Sequence, residues 1–130
     1  MVKTMREHRY KAKRLDNGEW VEGYYWQNGC GNHFIRVILD CDKIVIQDYE
    51  IGPNTLCEFT GLTDKNGNMI WEHDIVAMKA YGGGKWYSAV YYHKGKFAVD
   101  GSNYNFKDLA PSTYEVIGNI FDNPELLESK

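Results

Sequence analysis

Turn sequences recur at short intervals along this chain and separate segments of β-type composition. The clearest is Asp16-Asn17-Gly18, because Asn-Gly and Asp-Gly pairs accept the positive φ that tight hairpins require. It predicts a β-hairpin formed by segments 8–14 and 19–27. Thirteen glycines, three prolines and 15% aromatic residues likewise favour many short strands joined by glycine turns.

Further strands are predicted downstream, and only the C-terminal tail has the features of a helix. A second hairpin is expected around Lys94-Gly95. A loop is expected at 52–55, with a single helical turn after it. Asp122 or Asn123 can cap a short helix that has Pro124 in its first turn. The predicted strands after the first hairpin are 33–39, 44–46, 85–93, 96–100 and 113–121, and the composition of 33–39 predicts that it is buried.

These segments predict an all-β, mostly antiparallel protein with a short C-terminal helix. Built from hairpins as a meander, it would be barrel-like or sandwich-like. A chain of 130 residues is long enough to close one core, so we expect a single domain over residues 1–130.

Composition predicts a cytoplasmic location and no membrane contact. No apolar stretch approaches the roughly 20 residues that span a bilayer, and the N-terminus lacks the apolar core of a signal peptide. The three cysteines, Cys30, Cys41 and Cys57, are odd in number and contain no CxxC pair. Such usage is typical of a reducing compartment, where buried thiols act as small apolar side chains.

Part of the segment 60–76 resembles a calcium-binding loop, but two of the residues that such a loop requires are missing. Asp64, Asn66 and Asn68 match the first, third and fifth positions of a calcium loop, but the required Gly and Glu are replaced by Met69 and Ile75. An ordinary turn explains more. Asp64 opens a type I turn, Asn66 lies within it, and Gly67 takes the left-handed position of a bulged hairpin.

Other chemical motifs are incomplete, so we predict no catalytic residues, no metal and no cofactor. Glu72 and Asp74 are two apart and can share a face, yet they flank a bend where solvated polar residues are expected. Cys30 and His33 have zinc-ligand spacing but lack a second pair. The glycines at 82–84 precede a lysine without the Ser or Thr and helix of a phosphate loop.

The strongest binding signal is a segment in which lysines alternate with aromatic residues. Two basic segments, 1–15 and 75–99, are separated by acidic ones, and the sequence leaves open whether they share a face. Nucleic-acid platforms combine such cations with rings that stack on bases. In an ideal strand Trp86 shares a side with Ser88, Val90 and Tyr92 and points inward. The candidate contact residues are Lys85, Tyr87, Tyr91, Lys94 and Lys96.

Three blocks of the chain resemble the YopX family of small proteins encoded largely by phages and prophages. They are YKAKRLDNGEWVEGYY at 10–25, CEFTGLTDKNGNMIWEHDIV at 57–76 and YEVIGNIFDNPELL at 114–127. His73 is a departure, since the family pattern favours Gly there. The resemblance implies a β-rich fold in the host-cell cytoplasm and an unassigned biochemical role, with no catalytic or binding residues to carry over.

Two functions therefore stay open. The first is a phage accessory protein that is not an enzyme and acts by binding an unknown phage or host protein, or by self-association. The alternative is a small β-barrel module that binds single-stranded nucleic acid. Hydrolase activity is disfavoured because no nucleophile, base and orienting group converge in the sequence.

Overall fold

The structure is a computed structural model that describes residues 8–79, 82–100, 106–108 and 113–128. The chain divides into two compact units, residues 1–59 and 60–130. Each unit has its own hydrophobic core, and the single-domain prediction stays a prediction. Among the described residues, no helix has the length and apolarity needed to cross a membrane.

The first unit is an antiparallel sheet with the strand order β4-β3-β2-β1-β5. The β1–β2 hairpin is confirmed, with Gly18 at a φ of +76° in its turn. A short 3₁₀ helix, Pro53–Thr55, lies within the loop at 52–55, whereas the helical turn was predicted after that loop. The strands are β1 (Tyr10–Lys13), β2 (Trp20–Gln27), β3 (His33–Asp40), β4 (Val45–Glu50) and β5 (Cys57–Thr63), which continues into the second unit.

One side of this sheet forms the core of the first unit. Ala12, Ile35 and Ile51 are its fully buried members. Gly23 in β2 is required there, because a Cβ would meet the backbone carbonyl of Arg36. Partly buried side chains complete the cluster: Tyr10, Val21, Tyr25, Val37 and Leu56.

The second unit contains two three-stranded antiparallel sheets, and β6 follows β5 in strand order. The sheets have the orders β12-β7-β8 and β11-β10-β9. All-β architecture is thereby confirmed, and the described sheets are open rather than closed into a barrel. The elements are β6 (Met69–Trp71), β7 (Asp74–Lys79), β8 (Lys85–Ala89), β9 (Tyr91–His93), β10 (Lys96–Asp100), β11 (Phe106–Asp108), β12 (Glu115–Asn119) and α1 (Glu125–Glu128).

The strand predicted over 85–93 is interrupted at Val90, so that β8 and β9 belong to different sheets. The Val90 backbone leaves the strand pattern to donate to Asp74 O and accept from His73 N, both at 2.8 Å. The side-to-side alternation therefore changes phase. Of the predicted inward row, Ser88 and Val90 are buried and Trp86 is half-buried, whereas Tyr92, beyond the break, is exposed. The prediction is therefore wrong for Tyr92 and only partly right for Trp86.

A second cluster of apolar side chains forms the core of this unit. Tyr114 is fully buried in it, and no described residue gives its hydroxyl a hydrogen-bond partner. The other buried members are Ile70, Val76, Val90, Phe97 and Val99.

The C-terminal helix is present but shorter than a typical helix, with four residues. The capping role considered for Asn123 is not seen, because its side-chain oxygen instead accepts from Asn119 N at 3.2 Å. This contact ties the start of the helix to the end of β12.

Candidate functional site

The five candidate nucleic-acid contacts fall on two separate sheets of the second unit. Lys85 and Tyr87 lie on β8, and both are exposed. Tyr91 lies on β9 and is half-buried, with its hydroxyl donating to Asp100 Oδ1 at 3.0 Å. Desolvation and this hydrogen bond raise the pKa of Tyr91. Lys94 and Lys96, both exposed, flank the β9–β10 turn.

Hydrogen bonds at Asp100 show how these residues are arranged. Asp100 accepts from Trp86 Nε1 through its carbonyl oxygen and donates its own N–H to Ser88 Oγ, both at 3.0 Å. The last residue of β10 therefore lies against β8, whereas Lys96 begins the same strand at its opposite end. The structure brings Lys85 and Tyr87 together and leaves the turn lysines apart from them.

The predicted turn residues organise the connection between β5 and β6. Gly67 has a φ of +86° and donates its N–H to Asp64 O at 3.0 Å. Asp64 is only 5% exposed. Its Oδ1 accepts from the N–H groups of Asn66 and Asn68, both at 2.9 Å, and its Oδ2 accepts from Val116 N at 2.8 Å.

The Asp64 carboxylate is thus an internal acceptor for backbone N–H groups. Desolvation acts to raise its pKa, but the hydrogen bonds from Val116, Asn68 and Asn66 outweigh that effect and lower the pKa overall. In this role the side chain holds the β5–β6 turn against β12.

Glu72 and Asp74, the two acidic residues considered as a catalytic pair, also make structural contacts. Asp74 is buried, and its Oδ2 accepts from Trp71 N at 2.8 Å. Glu72 lies 3.7 Å from His73 Nε2. His73 has a φ of +74°, a left-handed conformation that favours glycine, which gives a physical reason for the glycine expected at this position.

The cysteines do not form a shared site. None of the three cysteines, all of them described, forms a disulfide. Only Cys57 is buried, so the expectation of buried thiols is wrong for Cys30 and Cys41. In the described ranges, no group of three or more His, Cys, Asp or Glu residues could hold a metal ion.

The outer side of the first unit's sheet carries a group of aromatic and charged residues that sequence reasoning missed. Trp26 and Phe34 stack with their centroids 4.5 Å apart. Arg36 lies over Trp26 and donates to both carboxylate oxygens of Asp48, at 2.8 and 3.0 Å. Hydrogen bonding from Arg36 holds the pKa of Asp48 below its ordinary value despite desolvation.

Beyond this ion pair, the end of the β3–β4 hairpin exposes a cluster of aliphatic side chains. We call it the apolar tip: Ile38, Leu39, Ile44, Val45 and Ile46, each between 42% and 80% exposed. Ile38 faces Ile46, and an irregularity between Ile38 and Asp40 disturbs the alternation there. Asp40 Oδ1 holds the loop by accepting from the N–H groups of Asp42 and Lys43.

The segment 33–39 was predicted to be a buried strand, and this is wrong for its second half. Ile35 is buried, whereas Ile38 and Leu39 are exposed. The apolar residues 37–39 follow one another without alternation, so the sequence does not show which of them face solvent. The closest available signal was the Asp40-Cys41-Asp42 loop. It places the end of segment 33–39 and the start of segment 44–46 at a hairpin turn.

Comparisons with known proteins agree with this architecture. No curated protein matches the chain. A similar solved structure is that of protein EF1440 from Enterococcus faecalis, with a TM-score of 0.59 and 25% identity. That match covers 95% of this chain and 99% of the other, and the name states no activity or partner. The model of the YopX protein family matches residues 9–128. The chain therefore belongs to the YopX family.

Proposed function

We propose that this chain is a phage- or prophage-derived accessory protein that acts in the host cytoplasm by binding another protein, without catalysis. The apolar tip is the observation that carries the proposal. Isolated exposed aliphatic residues are ordinary on protein surfaces, but contiguous ones mark interaction sites. Five exposed aliphatic residues occur at one hairpin end, and Ile38 and Ile46 are cross-strand partners on one face.

The backbone of the tip supports a binding role. Ile44 has a φ of +54° and is 80% exposed. A β-branched residue in the left-handed region is strained, at a cost of roughly 1–3 kcal/mol. Neither core burial nor turn chemistry explains an isoleucine at this position. A partner surface that receives its side chain does.

Burial of the tip is large enough to contribute to binding. Fully burying an aliphatic side chain is worth about 1.5–3 kcal/mol, and the five tip residues are roughly half exposed. Covering them yields on the order of 5 kcal/mol, from which the ordering costs of association are subtracted. We infer that polar contacts around the tip add to this apolar contribution.

Charges near the tip indicate the chemistry of the partner. Asp40 and Asp42 lie in the loop with one lysine, Lys43, so its formal charge is negative. A second copy of the chain would bring these carboxylates towards one another. A different protein, with an apolar patch bordered by basic residues, is the better match.

Cys41 allows a direct test because it is an exposed thiol in the tip loop. In a Cys30→Ser variant, the remaining thiols are Cys41 and the buried Cys57. This variant is labelled on Cys41 with a photoactivatable maleimide, added to an extract of infected host cells and irradiated. The matched control is Cys41→Ser, labelled at the exposed Cys30.

The expected result is a covalent adduct of defined mass that forms from Cys41 and not from Cys30. It disappears when Ile44 and Ile46 are changed to Asp, and persists with Leu15→Asp, an exposed apolar residue in another turn. Binding is then repeated with the purified partner. Equal adducts from both thiols, or adducts indifferent to the Ile→Asp changes, contradict the proposal. An adduct of twice the chain mass indicates self-association instead.

The alternative function, binding of single-stranded nucleic acid, is supported by Lys85 and Tyr87, which are both exposed on β8. The other three candidate residues, Tyr91, Lys94 and Lys96, lie on the β11-β10-β9 sheet and its turn, which favours nucleic-acid binding less. A salt series separates the two functions, because nucleic-acid affinity falls steeply with ionic strength through counterion release. Submicromolar oligonucleotide binding at moderate salt, lost with Tyr87→Ala, would favour the alternative.

A further inference from the structure

The β12-β7-β8 sheet carries a cavity of about 400 Å³. Strand register places much of its lining on one face of the sheet. Ala77 pairs with Glu115 on one side and with Tyr87 on the other, and Lys79 pairs with Lys85. Cross-strand partners, and residues two apart in a strand, project to the same face. The cavity, here called the lysine pocket, is lined by Lys65, Ala77, Met78, Lys79, Lys85, Thr113 and Glu115.

The two opposed lysines are an unusual feature of this face. Like charges directly opposite in neighbouring strands destabilise a sheet, and the Cβ atoms of such pairs are only about 4.5–5.5 Å apart. Within the described ranges neither Lys79 nor Lys85 forms an ion pair. Their ammonium groups are therefore free to converge on a common anion.

The remaining charges leave the pocket positive. Lys65 Nζ lies 4.0 Å from Glu115 Oε1, which offsets one cation with one carboxylate. The three lysines and Glu115 together leave a surplus of two positive charges in the lining. A phosphate monoester carries about −1.5 to −2 at neutral pH, which matches this surplus.

We propose that the lysine pocket binds a small molecule that carries a phosphate monoester. Lys79 and Lys85 hold the phosphate as paired point charges. Ala77 provides apolar surface on this face, and the exposed ring of Tyr87 lies on the same face, two residues from Lys85. A cavity of about 400 Å³ falls within the usual range for small-molecule sites.

This site is independent of the apolar tip, which lies in the other unit. The test uses the full purified chain and titrates three probes by calorimetry at low salt: adenosine 5′-monophosphate, inorganic phosphate and adenosine. We expect adenosine 5′-monophosphate to bind with a Kd below about 1 mM, inorganic phosphate to bind more weakly and adenosine not to bind. Lys85→Gln or Lys79→Gln is expected to weaken binding about tenfold or more. Lys43→Gln, an exposed lysine of the first unit, is the control and leaves binding unchanged.

A second measurement separates ligand binding from a general charge effect. Because the opposed lysines repel each other, Lys79→Gln is expected to raise the unfolding temperature of the ligand-free protein while reducing the increase caused by adenosine 5′-monophosphate. Absence of binding by any phosphate probe overturns the proposal. So does equal binding by the Lys79→Gln, Lys85→Gln double variant. A short oligonucleotide without a terminal phosphate that binds more tightly than the monophosphate overturns the assignment to a small molecule.

Discussion

Removing the Asp64 carboxylate tests whether one buried acid holds the β5–β6 turn and β12 together. In Asp64→Ala, the N–H groups of Asn66, Asn68 and Val116 lose an ionised acceptor at 2.8–2.9 Å. Water can replace it at Asn66 and Asn68, which are exposed, but less readily at Val116, which is half-buried. Hydrogen bonds to charged groups contribute about 1.5–3 kcal/mol, and solvated ones less. The expected loss in free energy of unfolding is about 2–4 kcal/mol at pH 7.

Asp64→Asn gives an intermediate loss, about 1–3 kcal/mol, because one oxygen survives while the amide nitrogen replaces the other acceptor. Urea unfolding followed by tryptophan fluorescence measures both variants. The control is Asp16→Asn, an exposed acid paired with Arg14, for which a much smaller loss is expected because solvent screens the ion pair. A loss from Asp64→Ala no larger than that of the control would refute the reasoning.

The pH dependence provides a second check on the same residue. Because folding lowers the pKa of Asp64, its stabilisation is fully present above the unfolded pKa of about 3.9 and is lost as pH falls through the lower folded value. The stability difference between wild type and Asp64→Asn should therefore be constant near neutrality and shrink in acid below about pH 4. A difference that grows on acidification would contradict this assignment.

Four further changes test individual features of the fold. Gly67→Val forces a β-branched residue into a left-handed conformation and is expected to cost about 1 kcal/mol or more in urea unfolding; unchanged stability would contradict the turn assignment. Gly23→Ala places a methyl group against the Arg36 carbonyl and is expected to lower the unfolding temperature, whereas Gly29→Ala, with open space around it, serves as control. Tyr114→Phe removes a buried hydroxyl that lacks a described partner, so stability is expected to stay the same or rise by up to about 1 kcal/mol; a loss above that would indicate a hydrogen bond at this site. A chelator is expected to leave the unfolding temperature unaltered, and a clear decrease would point to a structural metal.

Local signals predicted the elements that depend on local geometry. Asn17-Gly18 and Lys94-Gly95 mark hairpins because the positive φ of a tight turn is a property of those few residues. The sequence did not predict the break at Val90. That break depends on hydrogen bonds to His73 and Asp74, which are distant in sequence and adjacent only after folding.

The candidate sites were harder to predict because they depend on register. Lys65, Lys79, Lys85 and Glu115 come from distant parts of the second unit, and no spacing in the sequence links them. Ile38 and Leu39 of the apolar tip were predicted to be buried because exposed and buried apolar runs have the same composition. Only the strand register, which pairs Ile38 with Ile46 beyond the core residues of the sheet, distinguishes the exposed run from a buried one.

The position of β12 in its sheet has a consequence for synthesis on the ribosome. All residues of the first unit have emerged once residue 59 has. In contrast, β7 lacks its partner strand, and Asp64 lacks the Val116 N–H, until β12 has been added; β12 ends at Asn119. At about 5–20 residues per second, those roughly 60 residues take about 3–12 s to be added. During this interval the edge of β7 that pairs with β12 is unprotected, together with Val76 and the rest of an unfinished core. A chain that stalls or ends before Glu115 would therefore leave β7 and part of an unfinished core exposed to aggregation.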